Sequence, residues 1–209
     1  MNRITLLAAT ATVSAVLLGG AAYFVLGGGG DNRFAQCDGG QVAGGEDLIG
    51  GPFELVDARL DQAVTETDVI DGMTLIYFGY TFCPDICPFD VSRNAEATEI
   101  LEEGGINLTP VMITVDPQRD TVDVMANYAD AMHPRMVGLT GSDEQVEVAK
   151  KAYRAYGARA SGGSGEDYLV DHSTLSYLMH SEEGFLGFFR RDIGSQELAD
   201  RIACFAEAI

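Results

Sequence analysis

The segment Thr74–Tyr80 (TLIYFGY) is short, apolar and aromatic, and Thr81–Pro88 (TFCPDICP) follows it without a spacer. A run of that kind suits a strand buried on both faces of a sheet. From Phe89 to Glu103 the pattern turns helical, and Gly104–Gly105 stops it. A buried strand running straight into a helix restricts the chain to α/β architectures. It also sets Cys83 and Cys87 at the carboxyl end of the strand, where open sheets of this class bind their ligands.

The rest of the chain repeats the alternation. Leu108–Val115 reads as a second buried strand, ended by Asp116–Pro117 because proline cannot donate to a ladder. Asp120 or Thr121 can cap a helix reaching Met132, and His133–Pro134 closes it. Met136–Thr140 reads as a short strand, and Ser142 or Asp143 caps a helix to about Tyr156. After the polar, Gly-rich loop Ser161–Asp167 come Tyr168–Val170, Thr174–Met179 and Phe185–Phe189, the last two joined by a turn at Ser181–Gly184. Gln196–Ala208 is a terminal amphipathic helix, and Phe53–Val56 with Ala63–Val69 reads as an N-terminal hairpin. Strand–helix alternation implies parallel strands joined by crossovers, and the late hairpin adds antiparallel ones. The expected fold is a thioredoxin-like α/β domain, a mixed central sheet flanked by helices. Met112, Met125, Met132, Met136 and Met179 lie in apolar patterns and read as core.

Ahead of this domain, Ile4–Leu26 carries no charged residue. About 20 such residues cross a bilayer core, whereas a cleavable signal peptide has an apolar region of roughly 7–15. Length favours a single uncleaved transmembrane helix, although the small residues Gly19–Ala22 offer a cleavage site. Arg3 precedes the span and acidic residues follow it, which places the C-terminal domain outside the cytoplasm. No Ser- and Arg-rich transit pattern is present, so a bacterial inner membrane with the domain in the periplasm fits best. The expected organisation is a membrane anchor and Gly tether over 1–30, a flexible Gly-rich entry segment over 31–50, and the folded domain over 51–209.

Beyond the first 30 residues the chain holds 12 basic against 32 acidic residues, a net formal charge of −20. Such a domain has no electrostatic footprint for nucleic acid. Acidity serves solubility, and it also suits a basic protein partner.

The four cysteines fall into two pairs. Cys83 and Cys87 stand four apart where a helix begins, so a helical first turn would put both on one face. The unsatisfied N–H groups of a helix start favour the thiolate, which is both the nucleophile and the metal ligand. Pro84 and Pro88 cost little in a first turn. A plain disulfide or two buried thiols is the competing reading. Cys37 and Cys204, at opposite ends of the domain, have no Cys or His at ligand spacing and are expected to pair in an oxidising compartment. A second metal or redox pair is the alternative there. Of three histidines, His133 beside Pro134 and His180 at a turn read as structural. His172, in YLVDHSTLSYL, lies at a break between apolar strands, and spacing alone leaves its role open.

FGYTFCPDICP (78–88), ITVDPQRDT (113–121) and YLVDHS (168–173) together resemble the three signature blocks of the Sco/SenC copper chaperones. The resemblance extends over residues 51–209 and implies a thioredoxin-like domain behind one membrane helix. It implies that Cys83, Cys87 and His172 ligate copper, and that Cys83 and Cys87 form a redox-active pair. It implies delivery of copper to the dinuclear copper A site of cytochrome c oxidase subunit II. A copper donor and a periplasmic thiol reductant are further implied partners. Copper(I) is soft and prefers thiolates, with imidazole an acceptable third ligand; zinc would accept the same set with a water. Asp85 and Asp171 flank the ligands but read as a helix-start acid and a loop acid. Asp116 and Arg119 read as the end of a strand and the start of a helix rather than as ligands. The Cys37/Cys204 pair lies outside the three blocks.

The alternative is a membrane-anchored thiol–disulfide oxidoreductase acting on periplasmic cysteines. Thioredoxin-like oxidoreductases are similar to one another in CxxC spacing and in a cis-proline opposite the dithiol. Here the spacing is CxxxC, and the last of six prolines is Pro134. The expectation is therefore a metallochaperone rather than an enzyme.

Overall fold

The computed structural model describes residues 33–40, 48–161 and 167–209. The expected anchor over Ile4–Leu26 and the Gly tether lie outside them, and among the described residues no helix is long and apolar enough to cross a membrane. The chain divides into two compact units, Met1–Gln36 and Cys37–Ile209. In the described part of the first, the Arg33 guanidinium lies over the Phe34 ring.

The second unit is built on a seven-stranded mixed sheet. Its strands are β1 (Glu54–Asp57), β2 (Gln62–Thr65), β3 (Met73–Gly79), β4 (Leu108–Thr114), β5 (Val137–Thr140), β8 (Ser176–His180) and β9 (Gly184–Phe189). Their order is β2-β1-β5-β4-β3-β8-β9. β3, β4 and β5 are parallel, while β1, β8 and β9 pair antiparallel to their neighbours. β6 (Gly157–Arg159) and β7 (Val170–His172) form a separate antiparallel pair. The helices are α1 (Glu66–Val69), α2 (Ile86–Glu103), α3 (Val122–Met132), α4 (Asp143–Ala152) and α5 (Ser195–Ala208). α2 packs on β4 and α5, α3 on β5 and α4 on β1. This is the thioredoxin-like arrangement, with a parallel centre, an antiparallel hairpin at one side and a final helix.

Every residue of β3 is buried, because neighbouring strands cover its edges and side chains cover its faces. Leu75, Ile76 and Phe78 join Val111, Met112, Ile113, Met125 and Leu139 in the core. Four of the five core methionines are buried; Met132 packs partly exposed at the core's margin.

Some boundaries depart from expectation. The second N-terminal strand ends at Thr65, whose side chain and Asp68 form a capping box that starts α1, so Glu66–Val69 is helical. α2 begins at Ile86, three residues early, so Cys87 and Pro88 sit in its first turn. Thr121, not Asp120, occupies the N-cap of α3. α4 starts at a Ser142–Gln145 capping box as expected. It stops at Ala152 rather than near Tyr156 because the chain reverses at Arg154, whose φ is +51°. That reversal plants Tyr153 in the core, its ring against Phe53, Phe78 and Tyr177.

The entry segment is part of the fold from Cys37 to Gly40. A disulfide joins Cys37 to Cys204 on α5. Gly40 and Phe188 exchange both backbone hydrogen bonds, at 2.9 and 3.1 Å, so the segment covers part of the free edge of β9. A Cβ at position 40 would lie 2.5 Å from the Phe188 ring, so any side chain there would have to displace that ring. Arg201 closes the clasp, bonding the Asp38 carbonyl oxygen and carboxylate, each at 3.1 Å.

Candidate metal centre

β3 ends at Gly79 and α2 begins at Ile86, so the connecting loop lies at the carboxyl edge of the parallel strands. Asp120 holds Thr81 near the loop's start. Its carboxylate is fully buried and accepts from the Thr81 N–H, the Thr81 hydroxyl at 2.6 Å and the Thr114 hydroxyl at 2.6 Å. Burial pushes the Asp120 carboxyl up, and these hydrogen bonds oppose that shift.

Cys83 is half-buried in the loop and Cys87 is buried in the first turn of α2; neither is in a disulfide. The Cys87 N–H donates to the Cys83 sulfur at 3.3 Å. Burial alone would raise the Cys83 thiol, but backbone N–H groups of Cys87, Asp85 and Ile86 outweigh it and bring it below its usual value. Cys87 moves the other way: burial raises its thiol, and the neighbouring Cys83 adds to the rise. The pair is thus asymmetric: the half-buried Cys83 gives up its proton more readily than the buried Cys87.

His172 comes from the end of β7. The Val170 N–H donates to the Tyr80 hydroxyl at 3.3 Å, which hangs β7 over the loop. Tyr77 and Tyr80 meet the imidazole edge to face, with centroids at 6.1 and 5.7 Å. His172 Nδ1 lies 2.8 Å from the Ser173 carbonyl oxygen, which can only accept, so Nδ1 carries the proton. Nε2 is left bare, and it stands 3.2 Å from the Cys87 sulfur. One ligand atom from each of Cys83, Cys87 and His172 falls within 4.8 Å of the others, the one such group of three among the described residues.

Three donors that close can converge on one ion. Two sulfurs and one imidazole nitrogen make a soft, low-coordinate set, which matches copper(I). Gly79 belongs to the same construction: a Cβ there would lie 3.1 Å from the Cys87 sulfur. Beneath it, the Tyr77 hydroxyl donates to buried Asp90 at 3.0 Å, and Arg191 approaches Asp90 from the other side at 3.5 Å.

The structure brings Cys83, Cys87 and His172 together and leaves the other candidates apart. Cys37 and Cys204 are bonded to each other. His133 is buried and accepts from the Arg135 N–H; His180 accepts from the Glu182 N–H. Asp85 and Asp171 are exposed beside the site, the first at the N-cap of α2 without a capping bond, the second in β7 rather than in a loop.

Asp116 and Arg119 do more than end a strand. Arg119 pairs with Asp116 at 2.5 Å and donates to the Tyr168 carbonyl at 3.0 Å, while the Tyr168 hydroxyl donates to Asp116 at 2.7 Å. Its guanidinium stacks on Tyr168 at 3.7 Å and on Phe82 at 4.9 Å. This bracket ties the cysteine loop to the approach of β7. The aromatic residues Tyr77, Tyr80 and Tyr168 were the part that sequence reasoning missed. They sit in or beside the three motif blocks, where aromatic side chains near the ligands were the available signal.

A family model described as SCO1/SenC matches residues 41–207. Protein SenC of Rhodobacter capsulatus is 45% identical over 203 residues, 97% of this chain and 90% of that protein. Among solved structures, Arabidopsis thaliana ScoI with copper bound superposes with a TM-score of 0.70 at 39% identity, covering 76% of this chain and 99% of the other. Yeast Sco1 with copper bound superposes at 0.71 and 36% identity, over 77% and 90%.

Proposed function

The chain belongs to the SCO1/SenC family, and from that premise we propose that it binds copper(I) through Cys83, Cys87 and His172 and delivers it to the copper A site of cytochrome c oxidase subunit II. The observation that carries the reading is the convergence of two free sulfurs and a bare imidazole nitrogen within 4.8 Å. Copper is cargo here, so a three-donor site suits it: an incoming partner ligand can add before a resident one leaves. Cys83, half-buried, is the sulfur most open to that exchange, and Cys87 and His172 hold the ion from below.

Loading requires the reduced pair, because a disulfide offers no thiolate. In the periplasm the pair tends to oxidise unless something reduces it. A periplasmic dithiol would supply the two electrons and two protons, becoming a disulfide itself. A copper donor then fills the site.

The thiol asymmetry supports a second reading. A half-buried sulfur that gives up its proton more readily than its buried neighbour is what dithiol exchange also uses. His172→Ala separates the two. A chaperone needs the imidazole, whereas exchange needs only the cysteines. The variant is expected to lose oxidase copper loading in cells while keeping dithiol reactivity in vitro. Normal oxidase loading by this variant, with Cys83→Ser failing only in disulfide reduction, would make thiol–disulfide exchange the function.

We also propose that Ile4–Leu26 is an uncleaved inner-membrane anchor with the domain in the periplasm. The charge-free span and the Arg3 asymmetry support it. A reporter active only outside the cytoplasm, fused after Ile209, is expected to give signal, and the protein to stay with membranes through a carbonate wash. Release by the wash would mean the segment had been removed.

A further inference from the structure

Tyr80 opens the cysteine loop and is buried, and both its backbone and its side chain reach the metal ligands. Its carbonyl accepts from the Cys83 N–H at 3.3 Å. Its own N–H bears on the Cys87 sulfur and partly offsets the rise that burial gives that thiol. Its ring meets the His172 imidazole nearly at right angles, with centroids 5.7 Å apart, and the Arg119 guanidinium lies over the same ring at 5.6 Å.

The hydroxyl completes the set. Its oxygen accepts at 3.3 Å from the N–H of Val170, two residues before His172. The Cys83 sulfur neighbours the same hydroxyl and bears on it by hydrogen bonding and by charge. A phenol has one proton to donate besides the lone pairs of its oxygen. With Val170 donating to the oxygen, the proton is left for an acceptor, and an ionised sulfur makes a strong one. Tyr77 is the contrast. It lies beside Cys87 in the same way, but its proton goes to Asp90 at 3.0 Å. The path from the Val170 N–H through the Tyr80 hydroxyl to the Cys83 sulfur therefore joins the strand that carries His172 to the loop that carries the cysteines.

We infer that Tyr80 is a positioning residue for the metal: its hydroxyl, held by Val170, donates to the copper-bound Cys83 sulfur and fixes Cys83 against His172. The inference rests on the copper-binding reading and names a residue outside the ligand set that sets how tightly the ion is kept. Groups that hydrogen-bond to metal ligands orient them, and losing one typically costs about 10–100-fold in affinity. Cys83 is also the sulfur most open to exchange, so the bond acts on the ligand that an incoming partner has to displace.

The test compares wild type with Tyr80→Phe, each as the reduced full chain in detergent, free of oxygen. The substitution deletes the hydroxyl and keeps the ring against His172, so ring packing alone predicts no change in metal binding. Competition against a chelating copper(I) indicator is expected to show one Cu(I) per chain in both, held about tenfold or more weakly by the variant. Raman spectra give the second readout, because the tyrosine ring doublet reports whether the hydroxyl donates or accepts. Loading wild type with Cu(I) should move one of its eight tyrosines towards the donor pattern, and that change should be missing from Tyr80→Phe. Wild-type affinity in the variant, or a doublet in wild type that copper leaves unmoved, overturns the role of Tyr80 and leaves copper binding standing. A doublet shift that persists in Tyr80→Phe overturns it as well. Wild type that takes up no Cu(I) overturns both readings.

Discussion

Cys83→Ala and Cys87→Ala are each expected to abolish tight copper(I) binding to the reduced chain. Changes in the groups that merely orient metal ligands already cost about 10–100-fold in affinity. Removing a thiolate from a three-donor site for a soft ion should cost more than about 100-fold. His172→Ala removes the harder donor and should weaken binding without abolishing it. Because Cys87 Sγ lies 3.2 Å from His172 Nε2, its loss removes a ligand and the imidazole's sulfur partner together, while the backbone N–H of residue 87 still donates to Cys83. Competition against a chelating copper(I) indicator, oxygen-free, gives the affinities. Wild-type affinity in either cysteine variant would remove that residue from the site.

The second large effect is on stability. Cys37→Ala with Cys204→Ala is expected to destabilise the domain by about 2–5 kcal/mol, because the bridge closes a loop with a sequence separation of 167. For a domain of this size that is a fall of about 5–15 °C in the unfolding midpoint. The amides of Gly40 and Phe188 should lose exchange protection in the same variant, since their mutual hydrogen bonds are held by the clasp. Copper stoichiometry should not change, as neither cysteine belongs to the metal group. Thermal scans of the variant and of wild type with the bridge selectively reduced should agree. A midpoint within about 1 °C of oxidised wild type would mean the bridge constrains nothing that packing does not already hold.

The parallel core and the position of the cysteines were legible because they rest on local rules. A buried apolar run, a proline-tolerant helix start and two cysteines at i and i+4 can be read from one stretch of chain, and β3 and α2 follow it closely. Thr65-x-x-Asp68 was equally local, and a capping-box reading would have ended β2 on time. What local rules could not supply was distance in sequence. His172 reaches Cys87 across 85 residues because β7 hangs from Tyr80, and neither half of that contact has a signature of its own. Spacing left His172 undecided, and the family resemblance supplied its role. β6 stayed hidden because its three residues have one partner, β7, and no alternating pattern. Asp120 looked like a cap because Asp favours helix starts; its buried task under Thr81 depends on a residue 39 positions away.

X-ray absorption at the copper edge of the reduced, Cu(I)-loaded chain tests the metal centre most directly. Two sulfur neighbours near 2.2–2.3 Å, roughly the metal–thiolate range, with one nitrogen from imidazole, are the expected shell. A shell with no sulfur in that range would contradict copper binding by Cys83 and Cys87.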